Sequence, residues 1–394
     1  MEPVRQKDEP LANLSKLGPV KGFRDFSGEE AVKREEIRRI IVSTFEKYGF
    51  EPAETPVIEA EEFVKSGNQN DEAVSDIFKL QDKGKRKLAL RYEFTFQLKR
   101  LMRNKKLPYK RYEIGPVFRD EPTASNRFRQ FTQCDVDAVG SSSKEEAEIL
   151  ALTSEIFERV GIKPVILINN RKLLNEILDD LKVKEKNKEQ VLREIDKIGK
   201  LDEKQIKINL KKFNAEKVIE ALKGGEDYFN KFNSYKEIIS LMEYCRIYGI
   251  KALFSPTVIR GLSYYNGNVF EIKVKDVRET LAAGGSYMFN GVQCTGISFG
   301  LGRVWWQSKL EIKKEKYLVI SLEQDKEAIK IANRLRNQGK IVSIYYGKPS
   351  RALEYANSYG FNNVVFVGQK EAKAKKFKVK DMKTGKEKSR DFST

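Results

Sequence analysis

The chain has 394 residues, enough for two or three domains. Its 75 lysines and arginines against 57 aspartates and glutamates give a formal charge of +18. This charge fits a polyanionic partner and a merely soluble basic surface about equally well. The chain contains no histidine, which excludes a histidine-activated nucleophile, histidine metal ligands and a histidine general base. The N-terminus lacks the apolar segment of a secretory signal, and no stretch approaches the roughly 20 apolar residues that span a bilayer, so we expect no membrane segment. The three cysteines are far apart, so we expect neither a disulfide framework nor a structural zinc site. Both observations fit a cytoplasmic protein.

The N-terminal part of the chain is predicted to be an arm followed by a helix. Residues 1–20 have the composition of a loosely ordered arm. The sequence Ser27–Gly28–Glu29–Glu30 matches a capping box, in which a serine and a glutamate three residues later satisfy free N–H groups at a helix start. Apolar residues then recur at helical spacing up to Tyr48, and Gly49 is expected to end the helix.

The next segments alternate between strand-like and helical patterns. Runs rich in β-prone residues predict strands at 88–92, 113–118 and 135–139. Residues 171–250 are rich in lysine, glutamate, leucine and isoleucine at helical spacing, whereas residues 260–303 are strand-like again. We therefore expect one domain at 21–310 with a helical insertion at about 171–250.

The C-terminal residues have the pattern of a second, smaller domain. Residues 304–315 are predicted to be a linker, after which apolar strands and helices alternate, so we expect a small α/β domain with parallel strands at 315–394. Between Lys370 and Arg390, ten residues are basic and three are acidic. This tail is either a solvated charged face or a nucleic-acid contact, and the α/β body that carries it favours the second.

The densest chemical signal is an arginine-rich block that begins at Phe118. It consists of Phe118–Arg119–Asp120–Glu121, then Arg127–Phe128–Arg129–Gln130–Phe131, and Gln133. Guanidinium groups clamp phosphate oxygens bidentately, and an aromatic ring among them can stack on a purine. The block therefore indicates a nucleotide site, although a surface cluster of salt bridges would also produce it.

Further segments carry candidate site residues. Residues 260–271 place Arg260 beside a glycine and the pair Tyr264–Tyr265, but tyrosines packed in an ordinary strand give the same pattern. Residues 90–95 supply a glutamate and a threonine that suit an ammonium group, or a strand with an exposed glutamate. Two short glycine motifs follow, Gly284–Gly285–Ser286–Tyr287 and Gly300–Leu301–Gly302–Arg303.

Together these segments resemble the motifs of class II aminoacyl-tRNA synthetases, and most closely those of the histidyl-tRNA synthetase family. The arginine-rich block resembles motif 2 without a gap as far as Gly140, residues 260–271 are similar to a signature confined to the histidyl enzymes, and residues 300–303 resemble motif 3. The resemblance implies an α+β fold: a class II catalytic domain with an antiparallel sheet and a helical insertion, then a C-terminal α/β anticodon-binding domain. The segment from Gly22 to Glu59 resembles motif 1, which implies a homodimer.

The resemblance implies roles at the ATP site. Arg119 would hold the α-phosphate and the substrate carboxylate, Glu121 would lie near the adenine amine, and Phe131 under the adenine. Arg127 and Arg303 would hold the γ-phosphate.

Arg260 would point at the α-phosphate and stabilise the charge that develops there, so the implied catalytic residues are Arg119 and Arg260. A preorganised donor of this kind contributes roughly 2.7–4 kcal/mol.

The same resemblance implies a histidine site. Glu93, Thr95 and Gln133 would bind the α-amino group, while Asp137 and Tyr265 would contact the imidazole. A site built on such hydrogen bonds can reject an analogue that lacks them by about 10⁴–10⁵. The full set of expected histidine-binding residues is Glu93, Thr95, Gln133, Asp137, Arg260, Tyr264, Tyr265 and Tyr287.

The chain departs from the family pattern at several positions. The family usually has aspartate at Ser263, arginine at Ser286, aspartate at Met288 and glutamate at Gly302, and commonly histidine at Asn170. These departures bear on local geometry more than on function.

We therefore expect a histidine–tRNA ligase that uses ATP and Mg²⁺, with L-histidine and tRNA(His) as substrates. No metal ligand is expected from the protein itself, because Mg²⁺ commonly binds nucleotide phosphates with few protein ligands. The alternative is a catalytically inactive relative, such as a regulatory subunit or a tRNA-sensing protein. The arginine set and the anticodon-binding domain favour the enzyme.

Overall fold

A computed structural model describes residues 18–65, 72–124, 127–198, 201–259, 264–277, 279–312 and 314–391. Most of the arm predicted at 1–20, together with Arg260 and Ser263, lies outside these residues. Contacts within the chain divide it after Leu310 into two compact units. In the described ranges, no helix is both long and apolar enough to cross a membrane.

The first unit contains a large sheet, a small sheet and a set of helices. Its helices are α1 (Gly28–Lys47), α2 (Glu61–Lys65), α3 (Glu72–Ser75), α4 (Thr95–Leu101), α5 (Ser143–Arg159), α6 (Arg171–Asp180), α7 (Glu185–Ile195), α8 (Glu203–Lys211), α9 (Val218–Leu222), α10 (Glu226–Asn230), α11 (Tyr235–Ile247) and α12 (Leu301–Gln307), with a 3₁₀ turn at Met102–Asn104. Its strands are β1 (Glu51–Pro52), β2 (Ile58–Ala60), β3 (Lys79–Gln81), β4 (Lys87–Leu90), β5 (Tyr109–Phe118), β6 (Gln130–Val139), β7 (Pro164–Asn170), β8 (Ala252–Phe254), β9 (Tyr265–Val274), β10 (Ala282–Phe289) and β11 (Val292–Gly300).

The large sheet has the strand order β1-β5-β6-β11-β10-β9-β7-β8. Its interior strands pair antiparallel, and only the terminal pairs β1–β5 and β7–β8 are parallel. The small sheet, β2-β4-β3, is antiparallel. This architecture confirms the predicted α+β class with a mainly antiparallel catalytic sheet.

One face of the large sheet packs on helices. Apolar residues of α1 and α5, such as Ile41 and Leu150, form a continuous buried core with alternate residues of the strands, such as Val136 and Phe270. Because side chains alternate along a strand, the intervening residues face the opposite side of the sheet, where the candidate site lies. Helices α6–α11 occupy 171–247 and join the same core through their apolar stripes.

Two local predictions in this unit are wrong. Ser27 makes no side-chain capping bond at α1, because Gly28 after it has a φ of +60° and the Glu30 carboxylate pairs with Arg24 instead. The predicted linker at 304–315 begins as helix, since α12 continues to Gln307 with Val304 in the core.

The second unit is a five-stranded sheet with three helices in its described part. Its elements are β12 (Lys316–Ser321), α13 (Asp325–Asn337), β13 (Ile341–Tyr346), α14 (Pro349–Ser358), β14 (Asn363–Val367), α15 (Gln369–Ala374), β15 (Lys376–Asp381) and β16 (Glu387–Asp391), with the strand order β13-β12-β14-β15-β16. Strands β13, β12 and β14 are parallel, as predicted. The basic tail, for which the sequence predicts only a charged face or a nucleic-acid contact, forms the antiparallel pair β15–β16 and inserts Phe377 and Val379 into the core.

Candidate active site

Strand β6 supplies the centre of the candidate site. Cys134 and Val136 enter the helix-covered core, so Gln133, Asp135 and Asp137 face the other side. These three side chains are buried, with exposed fractions of 4%, 3% and 4%. A row of buried polar groups on an inner strand requires partners, because each unpaired group costs free energy.

Asp137 is held by side chains from two other strands of the sheet. The Arg111 guanidinium of β5 lies 3.0 Å from its Oδ2, and the Tyr287 hydroxyl of β10 donates to its Oδ1. In β11 the residue opposite Asp137 is Gly296. Burial raises the pKa of Asp137, while Arg111 and Tyr287 oppose that rise. A carboxylate with this support accepts further N–H groups without reorganisation.

A buried row of alternating charges runs beside Asp137. Arg91 lies 3.1 Å from Glu113, and Glu113 lies 3.5 Å from Arg111. Burial alone would lower the pKa of Arg111, but Asp137, Asp135 and Glu113 more than offset it, so the pKa is raised. With Asp137 and Asp135, the row has three carboxyl groups and two guanidinium groups, so acidic side chains outnumber basic ones beside the site.

Sequence reasoning missed Arg91, Arg111, Glu113 and Asp135 as site residues. A signal was present, because Arg111 and Glu113 alternate in β5 in the same way as Asp135 and Asp137 in β6. Charged residues at period two are normally assigned to a solvated face, and here that face is buried.

Glu93 enters the site from the turn between β4 and α4, and Thr95 enters it as the first residue of α4. Both side chains are buried, and the Thr95 hydroxyl donates to Glu93 Oε2 over 3.1 Å. Glu93 also lies close enough to Tyr264 to raise the pKa of that phenol, after burial as the main cause. The structure thus brings the predicted ammonium-binding pair beside the predicted tyrosines.

The tyrosines form a packed aromatic wall. The ring centroids of Tyr264 and Tyr265 are 4.7 Å apart, and those of Tyr264 and Tyr287 are 5.6 Å apart. Burial and then the Asp137 charge raise the pKa of Tyr287 well above its ordinary value, so its hydroxyl stays a donor to Asp137. The wall therefore connects the Glu93 side of the site to Asp137.

Arg119 lies at the end of β5 and reaches across to β6. Its Nε donates to the Tyr92 carbonyl over 3.2 Å, and its Nη2 donates to Gln133 Oε1 over 3.3 Å. The guanidinium also lies 5.1 Å from the centre of the Phe131 ring. The structure therefore brings three predicted residues, Arg119, Phe131 and Gln133, into contact.

The other predicted nucleotide residues lie around this end of the sheet. Arg127 forms an ion pair with Glu121. Arg303, on α12, is exposed and donates to the Thr280 carbonyl over 2.9 Å. Helix α12 begins directly after Gly300, which pairs with Gln133 in the sheet, so the motif-3 helix starts beside the motif-2 strand.

Comparisons with known proteins cover almost the whole chain. The family described as histidyl-tRNA synthetase matches residues 22–304, and the family described as anticodon binding domain matches residues 315–393. Histidine–tRNA ligase 1 of Bacillus cereus (strain ATCC 10987 / NRS 248) is 34% identical over 409 residues, which cover 93% of this chain and 94% of that protein.

The chain belongs to the histidyl-tRNA synthetase family.

Solved structures agree with this membership. The crystal structure of histidyl-tRNA synthetase from Nostoc sp. PCC 7120 matches with a TM-score of 0.83 at 25% identity, covering 95% of this chain and 96% of that one. A Bacillus halodurans structure described as an ATP phosphoribosyltransferase regulatory subunit/histidyl-tRNA synthetase matches with a TM-score of 0.77 at 20% identity, covering 91% and 99%, and shows the shared fold. Members of the family are ATP-dependent aminoacyl-tRNA ligases, and this activity is that of the chain. The expected enzyme and its anticodon-binding domain are confirmed, and nothing favours the inactive alternative.

Ser286, which departs from the family pattern, belongs to a group of buried polar side chains around Glu146. Ser286 faces away from Tyr287 and donates to Glu146 Oε1, while Asn268 donates to Glu146 Oε2 over 2.7 Å. Asn170, another departure from the synthetase pattern, donates to Asn268 over 2.8 Å. The two departures therefore belong to one buried polar network, in which hydroxyl and amide groups surround a carboxylate.

The glycine motif in the same strand is required by close packing. A Cβ on Gly284 would come within 2.0 Å of the Gly296 carbonyl oxygen, and one on Gly285 within 2.7 Å of the Asn268 carbonyl oxygen. Gly302 has more space, since a Cβ there would meet only the Arg34 side chain at 3.7 Å. Met288, in contrast, is half exposed, so its departure changes the surface of β10.

No group of three or more cysteine, aspartate or glutamate side chains within the described ranges could hold a metal ion. Beside the arginine-rich block, Asp120 pairs with Arg129 at 3.1 Å and Glu121 pairs with Arg127.

Proposed function

We propose that this enzyme activates L-histidine with ATP on the face of the large sheet opposite the helix-covered core, and transfers the histidyl group to the 3′ end of tRNA(His). A histidine carboxylate oxygen attacks the α-phosphorus, the adenylate forms and pyrophosphate leaves. A terminal ribose hydroxyl then attacks the acyl carbon, AMP leaves, and a phosphate oxygen takes the hydroxyl proton. No protein base is needed, in accord with a chain that has no histidine.

The observation that carries the proposal is the buried, acid-rich face of β6 with Arg119 at its end. Glu93, Thr95 and Gln133 are assigned to the α-ammonium group, since a buried carboxylate and an ammonium compensate the desolvation of each other. Arg119 contacts Gln133 and is therefore next to the point where the substrate carboxylate must lie.

Asp137 is assigned to the imidazole, together with the aromatic wall of Tyr264, Tyr265 and Tyr287. Asp137 accepts an imidazole N–H, and a tyrosine hydroxyl bonds the other ring nitrogen. The support of Asp137 by Arg111 and Tyr287 keeps the acceptor fixed before the ligand arrives.

The nucleotide is assigned to the arginine-rich end of the sheet. Phe131 stacks on the adenine, Glu121 lies near its amine, and Arg127 and Arg303 hold the γ-phosphate. The Glu121–Arg127 pair must open for both roles, and opening an ion pair with one exposed partner costs little. Arg119 and Arg260 stabilise charge at the α-phosphate, and Mg²⁺ enters with the ATP phosphates rather than on a protein site.

We further propose a cytoplasmic homodimer. The three cysteines are free and buried, which fits a reducing compartment. The segment from Gly22 to Glu59, which resembles motif 1, is the proposed dimer contact. Light scattering of the purified protein should give twice the chain mass of 45.4 kDa.

The test of the function is pyrophosphate exchange into ATP with each amino acid in turn. Exchange should require histidine, and Arg260→Ala should reduce it at least about tenfold, the effect of losing one preorganised donor. Arg86→Ala, at an exposed arginine paired with Asp82, serves as the control and should exchange normally. If none of the amino acids supports exchange, the proposed activity is wrong. If Arg260→Ala exchanges normally, Arg260 does not act in the chemical step.

A further inference from the structure

The side-chain amide of Gln133 lies between a pure donor and a pure acceptor. Arg119 Nη2 donates to Oε1 over 3.3 Å, and Nε2 donates to Asp135 Oδ2 over 3.2 Å. A guanidinium can only donate, and an ionised carboxylate can only accept. The two neighbours therefore favour the same one of the two possible amide orientations.

The orientation decides whether Gln133 can bind an ammonium group. An α-ammonium offers three N–H donors and no acceptor, so it is bound by Oε1 and repelled by the NH₂ group. With Nε2 committed to Asp135, Oε1 is the atom left for the ligand.

Arg119 cannot secure this orientation throughout the reaction. Its bond to Oε1 is long, and its proposed partners in the reaction are anionic oxygens, which bind a guanidinium more strongly than an amide does. Asp135, in contrast, is 3% exposed and belongs to the permanent charge row of the sheet.

We propose that Asp135 is a positioning residue that holds the Gln133 amide with Oε1 towards the α-ammonium group of histidine. The proposal rests on the assignment of Gln133 to the amino group under the proposed function. It adds a residue that sequence reasoning did not select.

The charges around Asp135 make this positioning sensitive to pH. It is faced by Asp137 on its own strand, by Arg111 and Glu113 on β5, by Arg91 at the end of β4, and by the Ser298 hydroxyl on β11. Burial, followed by the charge of Asp137, raises the pKa of Asp135 to about 7. Below that pH the carboxyl loses its charge and gains an O–H that can donate to the amide oxygen, while its second oxygen still accepts. Its hold on this amide orientation is therefore weaker, and histidine binding should weaken as the pH falls.

The test compares Asp135→Asn and Asp135→Leu in the full chain by histidine-dependent pyrophosphate exchange. Asn keeps an acceptor oxygen and cannot titrate, so its KM for histidine should stay within about threefold of wild type at pH 8. The histidine KM of wild type divided by that of Asp135→Asn should then rise as the pH falls from 8 to 6. Titration of the histidine substrate affects both KM values equally and cancels in this ratio. Leu should raise the histidine KM about tenfold at pH 8, equivalent to one lost hydrogen bond, with the ATP KM within twofold.

Variants at Gln133 distinguish a failure of the Asp135 proposal from a failure of the proposed function on which it rests. Glutamate at 133 has two acceptor oxygens and needs no orientation, so Asp135→Leu should raise the histidine KM less than threefold in a Gln133→Glu background. If Gln133→Leu leaves the histidine KM unchanged, the assignment of Gln133 to the amino group fails. If Gln133→Leu raises it but Asp135→Leu leaves it unchanged, Asp135 is not a positioning residue. Asp135→Ala, which also removes the acceptor, decides the same question if Asp135→Leu does not fold.

Discussion

Gly296 lies directly opposite Asp137 in the β6–β11 ladder, and a Cβ on this glycine would come within 2.1 Å of Asp137 Oδ1. That oxygen is the one that accepts from Tyr287. Because Gly296 has no side chain, the Asp137 carboxylate can occupy the position from which it is proposed to bind the imidazole.

Gly296→Ala should displace Asp137 and raise the histidine KM in pyrophosphate exchange, while overpacking costs about 1–3 kcal/mol of folding free energy. The matched control is Gly225→Ala, at a position where a Cβ meets nothing within 4 Å. Wild-type histidine KM in Gly296→Ala would show that Asp137 does not need this space.

Tyr287→Phe should weaken histidine binding without harming the fold. The phenol donates to Asp137 in a buried site, and its loss leaves Asp137 held by Arg111 alone. We expect the histidine KM to rise about tenfold, with the ATP KM unchanged. Tyr317→Phe in the second unit is the control for loss of a tyrosine hydroxyl.

Arg111→Met should destabilise the first unit by about 3–5 kcal/mol, because removing one partner leaves buried carboxylates without compensation. Urea unfolding followed by tryptophan fluorescence would measure it, since Trp305 and Trp306 both lie on α12. Combining the change with Asp137→Asn should restore part of the loss. Additive losses in the double variant would mean that Arg111 and Asp137 are not coupled.

The buried carboxyl of Glu146 gives a prediction for stability against pH. Burial raises its pKa, although Ser286 and Asn268 oppose the rise. For an acid whose folded pKa is raised, the contribution to stability is full below the ordinary pKa and is lost as the pH rises through the folded value. Wild type should therefore lose stability relative to Glu146→Gln on going upwards from pH 4.5, as measured by thermal unfolding. A difference in stability that does not vary with pH would mean that Glu146 titrates normally.

The basic tail gives a prediction for the second unit. Lys376 and Lys378 are exposed on one face of β15, opposite the side that buries Phe377 and Val379. Reversing both charges to glutamate should raise the tRNA KM about tenfold and flatten its salt dependence, with exchange unaffected. Lys326→Glu/Lys330→Glu on α13 is the charge-matched control; equal effects from both pairs would indicate net charge alone.

The sequence predicted some parts of this fold better than others for physical reasons. The interior strands and insertion helices follow periodicities that burial imposes, so 135–139 and 171–250 were recognisable. Ser142 and Ser27 both precede a glutamate by three residues, but only Ser142 forms the capping box. At Ser27 the following Gly28 has a positive φ, and Arg24 takes the carboxylate of Glu30.

The candidate site was also only partly predictable from the sequence. Arg119, Gln133 and Asp137 were identified by resemblance, and their contacts agree with a single site. Arg111 and Asp135 carry no motif, and their importance follows from being charged and buried together, which only a folded chain reveals.

The Asp137–Tyr287 pair lies in a protein without any imidazole of its own. In a nuclear magnetic resonance spectrum, every imidazole signal from the enzyme–substrate complex therefore originates from the substrate. Isotopically labelled histidine would report its own tautomer and protonation state against a silent background, so the hydrogen bonds that select the amino acid are directly observable without altering a residue of the enzyme.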